Sequence, residues 1–154
     1  MSCTRRHSLH RSHPPSPPVR SATDALEVIA LAMTRPPRAE TLAFVVDDDG
    51  RASALYVVEG TERADALIDV VHLLAEAAAS GEGTGLVVAS VRPTVPIDVD
   101  PADLDDADID RWLEASDIAA DRGIELLEWF VVGPVGIHCP RELFGEPPRW
   151  PWIP

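Results

Sequence analysis

The feature that most restricts how this chain can fold is the run Gly85-Leu86-Val87-Val88-Ala89-Ser90. A strand with one wet face alternates apolar and polar residues; this run does not alternate, so both of its faces need cover. It therefore reads as the central strand of an α/β sheet. Pro93 lacks a backbone donor and closes the strand. In open α/β sheets, ligands gather beyond the carboxyl ends of the central strands. Chemistry is expected at Ser90-Val91-Arg92-Pro93, yet those four side chains offer no good metal ligand.

The remaining elements follow from periodicity and turn residues. Ser21 or Thr23 caps a short helix through Met33, with Leu26, Ile29, Ala30 and Met33 at helical spacing, and Pro36-Pro37 stops it. Leu42 to Val46 and Ser53 to Val58 flank Asp47-Asp48-Asp49-Gly50 and form a hairpin. The triple Asp lacks the spacing and distal Glu of a calcium loop, so it is read as an acidic turn. Gly60-Thr61 opens a helix to about Ser80, with Leu67, Val70, Val71, Leu74 and Ala78 on one face and a structural His72 beside them.

After Pro93, a loop from Thr94 to Asp100 leads to Pro101 and to Asp103, Asp105, Asp106, Asp108 and Asp110. A helix then runs to Asp121, with Ile109, Trp112, Leu113 and Ser116 inward, and Gly123 ends it. Leu126 to Val132 is a further strand, turned by Gly133-Pro134-Val135-Gly136 into a short partner at Ile137-His138. The order is α-β-β-α-β-α-β-β, which a mixed α/β sheet accommodates most economically.

The 154 residues suffice for one core. The expected division is a basic Ser/His/Pro-rich tail at 1–22, an edge helix and linker at 23–37, one α/β domain at 38–142 and a Pro/Trp-rich segment at 143–154. Every apolar run is interrupted by charge before it reaches the ~18 to 20 residues that cross a bilayer, and no signal peptide follows Arg5 and Arg6. Cys3 and Cys139 imply no disulfide framework. A cytoplasmic location is expected.

Charge argues against nucleic acid. Residues 1–20 hold four Arg and no acid, so the other nine Arg face all 26 acids and residues 21–154 carry −17. Such a body repels a phosphate backbone. All 13 basic residues are Arg, and Ala, Val, Asp and Pro abound, a bias typical of GC-rich bacterial genomes.

Ser90 lacks both a Gly-x-Ser-x-Gly elbow and a neighbouring His, which argues against serine hydrolysis. His138-Cys139 has no partner pair and reads as a strand end rather than a metal site. The C-terminal stretch holds Trp150 and Trp152 among prolines, a semi-rigid segment suited to docking a partner, or to covering an apolar patch on its own body.

Several of these residues together resemble a known family. Glu40 precedes a strand, Gly60-Thr61 opens a helix, the buried strand ends in Pro93, Asp108-Ile109 starts a helix, and Gly123-Ile124-Glu125-Leu126-Leu127-Glu128 is followed by Val131-Val132-Gly133. Over about residues 38 to 138 this is similar to the RadC-like branch of the JAB/MPN metalloprotease superfamily. The resemblance implies a mixed-sheet, cytidine-deaminase-like sandwich. In that family a His-x-His-Pro segment and an Asp hold zinc, and a Glu is the general acid/base. The two His positions fall here on Ser90 and Arg92, the Pro on Pro93, the Asp on Asp108 or, without a gap, Asp103, and the Glu on Glu40.

Neutral Ser is a poor zinc ligand, and Arg keeps a fixed charge where a cation would sit. The expectation is a vestigial site of Glu40, Ser90, Arg92 and Asp108, with no metal and no cofactor, in which Arg92 pairs with Asp108 or Glu40 in place of the ion. The expected function is a catalytically inactive module that binds a protein partner. The alternatives are a hydrolase using Glu40, Asp98, Asp100, Asp103 and Asp108 with magnesium or manganese, a hydrolase in which Arg92 holds an anionic substrate, and a DNA-repair role, against which the acidic body argues.

Overall fold

The computed structural model describes residues 18–95 and 97–150, with Ala54 by its backbone alone. Trp152 and Cys3, and with them most of the basic tail, lie outside the described residues. Helix α1 spans Ala22–Ala32 and strands β1 and β2 span Glu40–Asp47 and Ala52–Glu59. Helix α2 is Ala66–Ala79, strand β3 Gly83–Val91 and helix α3 Pro101–Asp121. Strand β4 is Glu125–Val132, β5 is Ile137–His138, and a short helix α4, Pro140–Phe144, follows. The order is the expected one with α4 added.

The strands form one open mixed sheet in the order β2-β1-β3-β4-β5. Only β3 and β4 are parallel, joined by α3; β1 is antiparallel to both β2 and β3, and β5 to β4. The apolar run is central, with Ser90 opposite Thr41 on one side and Val131 on the other. The β1–β2 ladder shifts register between Phe44 and Val46, where two residues of β2 stand against one of β1. Gly85 is fixed by packing: a Cβ there would meet Leu127 Cδ1 at 2.6 Å.

Each face of the sheet has its own core. Ala43, Val45, Leu86, Val88, Trp129 and Val131 face α2 and α3, where Leu67, Val71, Leu74, Trp112 and Ala115 close over them. Leu42, Phe44, Val46, Val87, Ala89 and Phe130 face the other way, under Val19, Ala25 and Ile29 and against Trp150. That three-layer arrangement explains why β3 lacks alternation. The core therefore extends past residues 38 and 142 on both sides.

Helix α1 is capped by Ser21, whose Oγ accepts from Asp24 N–H. Helix α2 begins five residues after Thr61, because Thr61 Oγ1 is 2.9 Å from Thr41 Oγ1 and is held by β1 instead of capping a helix. Helix α3 absorbs the whole acidic stretch. Asp100 caps it by accepting from Ala102 N–H, and Pro101 occupies the first turn, where no donor is needed. Its buried face is Asp108, Trp112, Ala115 and Ala119, whereas Leu113, expected inward, is exposed. No helix among the described residues is long and apolar enough to cross a membrane.

Candidate functional site

Strand β3 ends where α3 passes, and Arg92 meets Asp108 there. Both guanidinium NH groups donate to the carboxylate, Nη1 to Oδ2 and Nη2 to Oδ1, each at 2.9 Å. Arg111, one turn along α3, donates from Nη1 to the same Oδ1 at 3.0 Å and from Nε to Asp65 at 3.0 Å. His138 Nε2, on β5, lies 3.5 Å from Asp108 Oδ2, at ion-pair range but without a hydrogen bond, and that buried nitrogen has no other partner. Two arginines and a histidine thus surround one carboxylate that is 1% exposed.

Burial by itself would raise the Asp108 carboxyl. The hydrogen bonds and charges of Arg92, then of Arg111, outweigh it and hold the group below the usual carboxylate value. Arg92 is further placed by Trp129, whose ring centroid lies 5.7 Å from the guanidinium carbon. Trp129 in turn donates its indole N–H to Ser90 Oγ at 2.9 Å. Ser90 is buried and serves as the acceptor that satisfies a core tryptophan.

The expected site residues divide between the two faces. Ser90, Arg92 and Asp108 stand on the α2/α3 side. Glu40 follows the alternation of Leu42, Phe44 and Val46 and faces α1, where it accepts from Thr34 N–H and Oγ1, both at 2.8 Å. Although Glu40 pairs with Val91 across the ladder, its carboxylate is on the wrong side to meet Arg92. The expected alternative pairing of Arg92 with Glu40 is thereby corrected. Asp103 is exposed, and Asp108 alone occupies the position facing Arg92. Asp100 is spent on the helix cap. Among the described residues, no three His, Cys, Asp or Glu side chains converge as a metal site would require.

For Trp150 the structure favours the second of the two readings, cover for an apolar patch on its own body. Instead of standing out for docking, it is 4% exposed and joins the core with Leu127, Phe130 and Cys139. Its neighbour Arg149 holds the segment down: Nη1 donates to Ser116 Oγ and Leu126 O, Nε and Nη2 grip Glu146, and the guanidinium stacks over Trp112 at 4.4 Å. A buried ion pair lies nearby, Arg141 Nε to Glu128 Oε2 at 2.9 Å. Burial raises the Glu128 carboxyl despite Arg141, and burial followed by the Glu128 charge pushes the Cys139 thiol up to about 12. Cys139 is thus an inert core residue, not a reactive thiol.

Above the Arg92–Asp108 pair lies a groove of about 1030 Å³, flanked by the segment after β3 and the turn at 133–136. Its floor is Arg92, Asp108, Arg111 and His138, and its walls include Val95, Leu104, Val131, Pro134, Val135 and Ile137. Val95, Val135 and Ile137 are exposed, Val135 at 97%. The sequence points to Arg92 and Asp108, reads His138 only as a strand end and gives no role to Arg111; the i,i+3 spacing of Asp108 and Arg111 is the available signal. No protein-family model and no curated protein matches the chain.

Proposed function

We propose that this chain is a degenerate RadC/JAB-like domain, catalytically inactive, that acts by holding a segment of a partner protein in the groove at the carboxyl ends of β3 and β4. The observation that carries this reading is the bidentate Arg92–Asp108 pair. Arg92 brings a permanent charge to the position where the family's second metal-binding histidine would stand, and Asp108 spends both oxygens on guanidinium donors. Glu40, at the position of the family's general acid/base, is engaged by Thr34 on the other face. What remains at the strand ends is a groove with exposed apolar walls, the kind of surface that marks an interaction site.

Two measurements test this reading together. Elemental analysis of the purified full chain is expected to find no stoichiometric metal; zinc or manganese at one per chain would overturn the inactive assignment. A photo-crosslinking side chain at Val135 is expected to trap a discrete protein partner that the same probe at Leu31, exposed on α1, does not trap. Identical products from both positions would remove the groove from the proposal.

A further inference from the structure

The sheet ends on one side at the short β5 and on the other at β2, whose outer side carries no strand among the described residues. The direction of the β2 backbone groups follows from its ladder. Gly60 N–H donates to Ala39 O at 3.1 Å, and bonded pairs alternate along an antiparallel ladder. Val58 and Tyr56 therefore bond inward to Thr41 and Ala43, while Leu55, Val57 and Glu59 turn their N–H and C=O groups away from the sheet. Val45 N–H, which reaches Ser53 Oγ, obeys the same alternation. The side chains are uncovered as well. Tyr56 and Val58 share a face with Ala43, yet the core under α2 and α3 includes no residue of β2, and Val57 on the opposite face is also exposed.

We infer that two copies of this chain pair through β2, antiparallel about a two-fold axis at Val57, and so join their sheets into one. The shape of the row selects a second copy as its occupant. Regular pairing with β1 covers residues 55–59, bounded by the register shift beyond Phe44 and by the turn at Gly60, whose φ is 72°. Val57 is the middle of that row. Pairing about it sets Val57 of one protomer against Val57 of its partner, and Leu55 against Glu59, so each outward N–H meets an outward C=O. Tyr56 then stands against the partner's Val58, an aromatic residue beside a β-branched one. Slipping the register by one residue would set outward groups against inward ones. Charge permits the approach here: Glu59 is the sole charged residue of β2, and Arg38 pairs with it at 2.6 Å. The strand is thus a neutral strip on a chain whose net charge is −13. Val57 does not line the groove, so this pairing stands apart from the binding role proposed above.

The test is sedimentation equilibrium of the full chain from about 1 μM to 1 mM, a range that brackets a small interface. A reversible monomer–dimer equilibrium is expected, with dimer predominating at the upper end. Val57→Pro removes an outward N–H and leaves the bonds to β1 in place, as an edge strand tolerates. It should weaken dimerisation at least about tenfold, since the bonds across the axis are lost from both copies at once. Val57→Lys sets like charges face to face at the axis and should act in the same direction, less so at high salt. Circular dichroism checks that each variant folds, and Val57→Lys, at an exposed position, keeps the test standing if Val57→Pro folds poorly. A chain that stays monomeric at the upper concentration overturns the inference. A dimer that both variants leave intact also overturns it, because association then lies elsewhere on the surface. A photo-crosslinking side chain at Val57 is expected to join two copies of the chain; a foreign protein trapped there in their place would give the edge to another partner and overturn the inference. The Val135 crosslink reads the groove separately.

Discussion

Arg92 and Asp108 meet as a fork on a carboxylate, two parallel bonds of 2.9 Å that tie the end of the central strand to the middle of α3. The pair is asymmetric in exposure, since Arg92 reaches the groove while Asp108 is closed off. Replacing Asp108 by Asn leaves Arg92 without its counter-charge and Arg111 with Asp65 alone. A loss of about 3 to 5 kcal/mol in chemical denaturation is expected, the scale of breaking a buried pair. Arg92→Met should cost less, about 1 to 3 kcal/mol, because Arg111 still neutralises Asp108 and Arg92 itself is partly solvated.

The same pair sets a sign for acid sensitivity. The folded-state value of Asp108 lies below its ordinary one, so its stabilising contribution is complete above about pH 4 and is lost as pH falls through the folded value. Wild type and Asp108→Asn should therefore differ most near neutrality and converge on acidification. Denaturation midpoints of both proteins between about pH 7 and pH 3 give the test; a constant gap would contradict it.

Glu128 behaves in the opposite sense. Its folded value is raised by burial, so its ionisation costs stability above that value, and the cost is relieved as pH falls through it toward the ordinary range. Arg141→Met removes the cation that holds the charge. At pH 7 the variant should lose about 3 to 5 kcal/mol, and the loss should shrink as pH is lowered and Glu128 takes a proton. Thermal unfolding at several pH values measures both parts.

Trp150 is a core residue, and its truncation is a cavity mutation. Trp150→Ala is expected to cost about 3 kcal/mol or more, comparable with other buried tryptophans. Arg149→Ala should cost less and should raise proteolytic cleavage after residue 142, because it frees the segment from Ser116, Leu126 and Glu146. Limited proteolysis followed by mass spectrometry distinguishes the two effects.

Much of the architecture was legible because long apolar runs have few ways to be buried. The unalternating run at 85–90 gave the central strand, and Gly and Pro marked most turns. Helix α2 was placed too early because Gly60-Thr61 has the composition of a cap, while the threonine hydroxyl is used across the sheet by Thr41. Leu113 reads as inward beside Ile109, Trp112 and Ser116, although the small Ala115 and Ala119 continue the stripe that Asp108 and Trp112 begin. A buried acid on that stripe is invisible to a hydrophobic pattern.

The site was half legible for a related reason. The family resemblance put Arg92 beside Asp108 or Glu40, and a fixed cation has a definite use next to either carboxylate. Which face of β1 carries Glu40 depends on strand register, and no residue near Glu40 states that register. The burial of Trp150 depends on a chain reversal after α4 at Gly145, whose φ of 83° favours glycine but whose direction a sequence does not specify.

The register shift in the β1–β2 ladder bears on how the molecule behaves in a crowd. Strand β2 is an outer strand, and Tyr56, Val57 and Val58 are all exposed on it. A straight eight-residue edge of that composition would offer an even row of free backbone groups to any extended chain nearby. The extra residue opposite Val45 breaks that row, and the Arg38–Glu59 pair puts charge at its far end. An irregularity of this kind disfavours pairing of that end of β2 with another chain, and a mutation restoring regular pairing would remove it without touching the core.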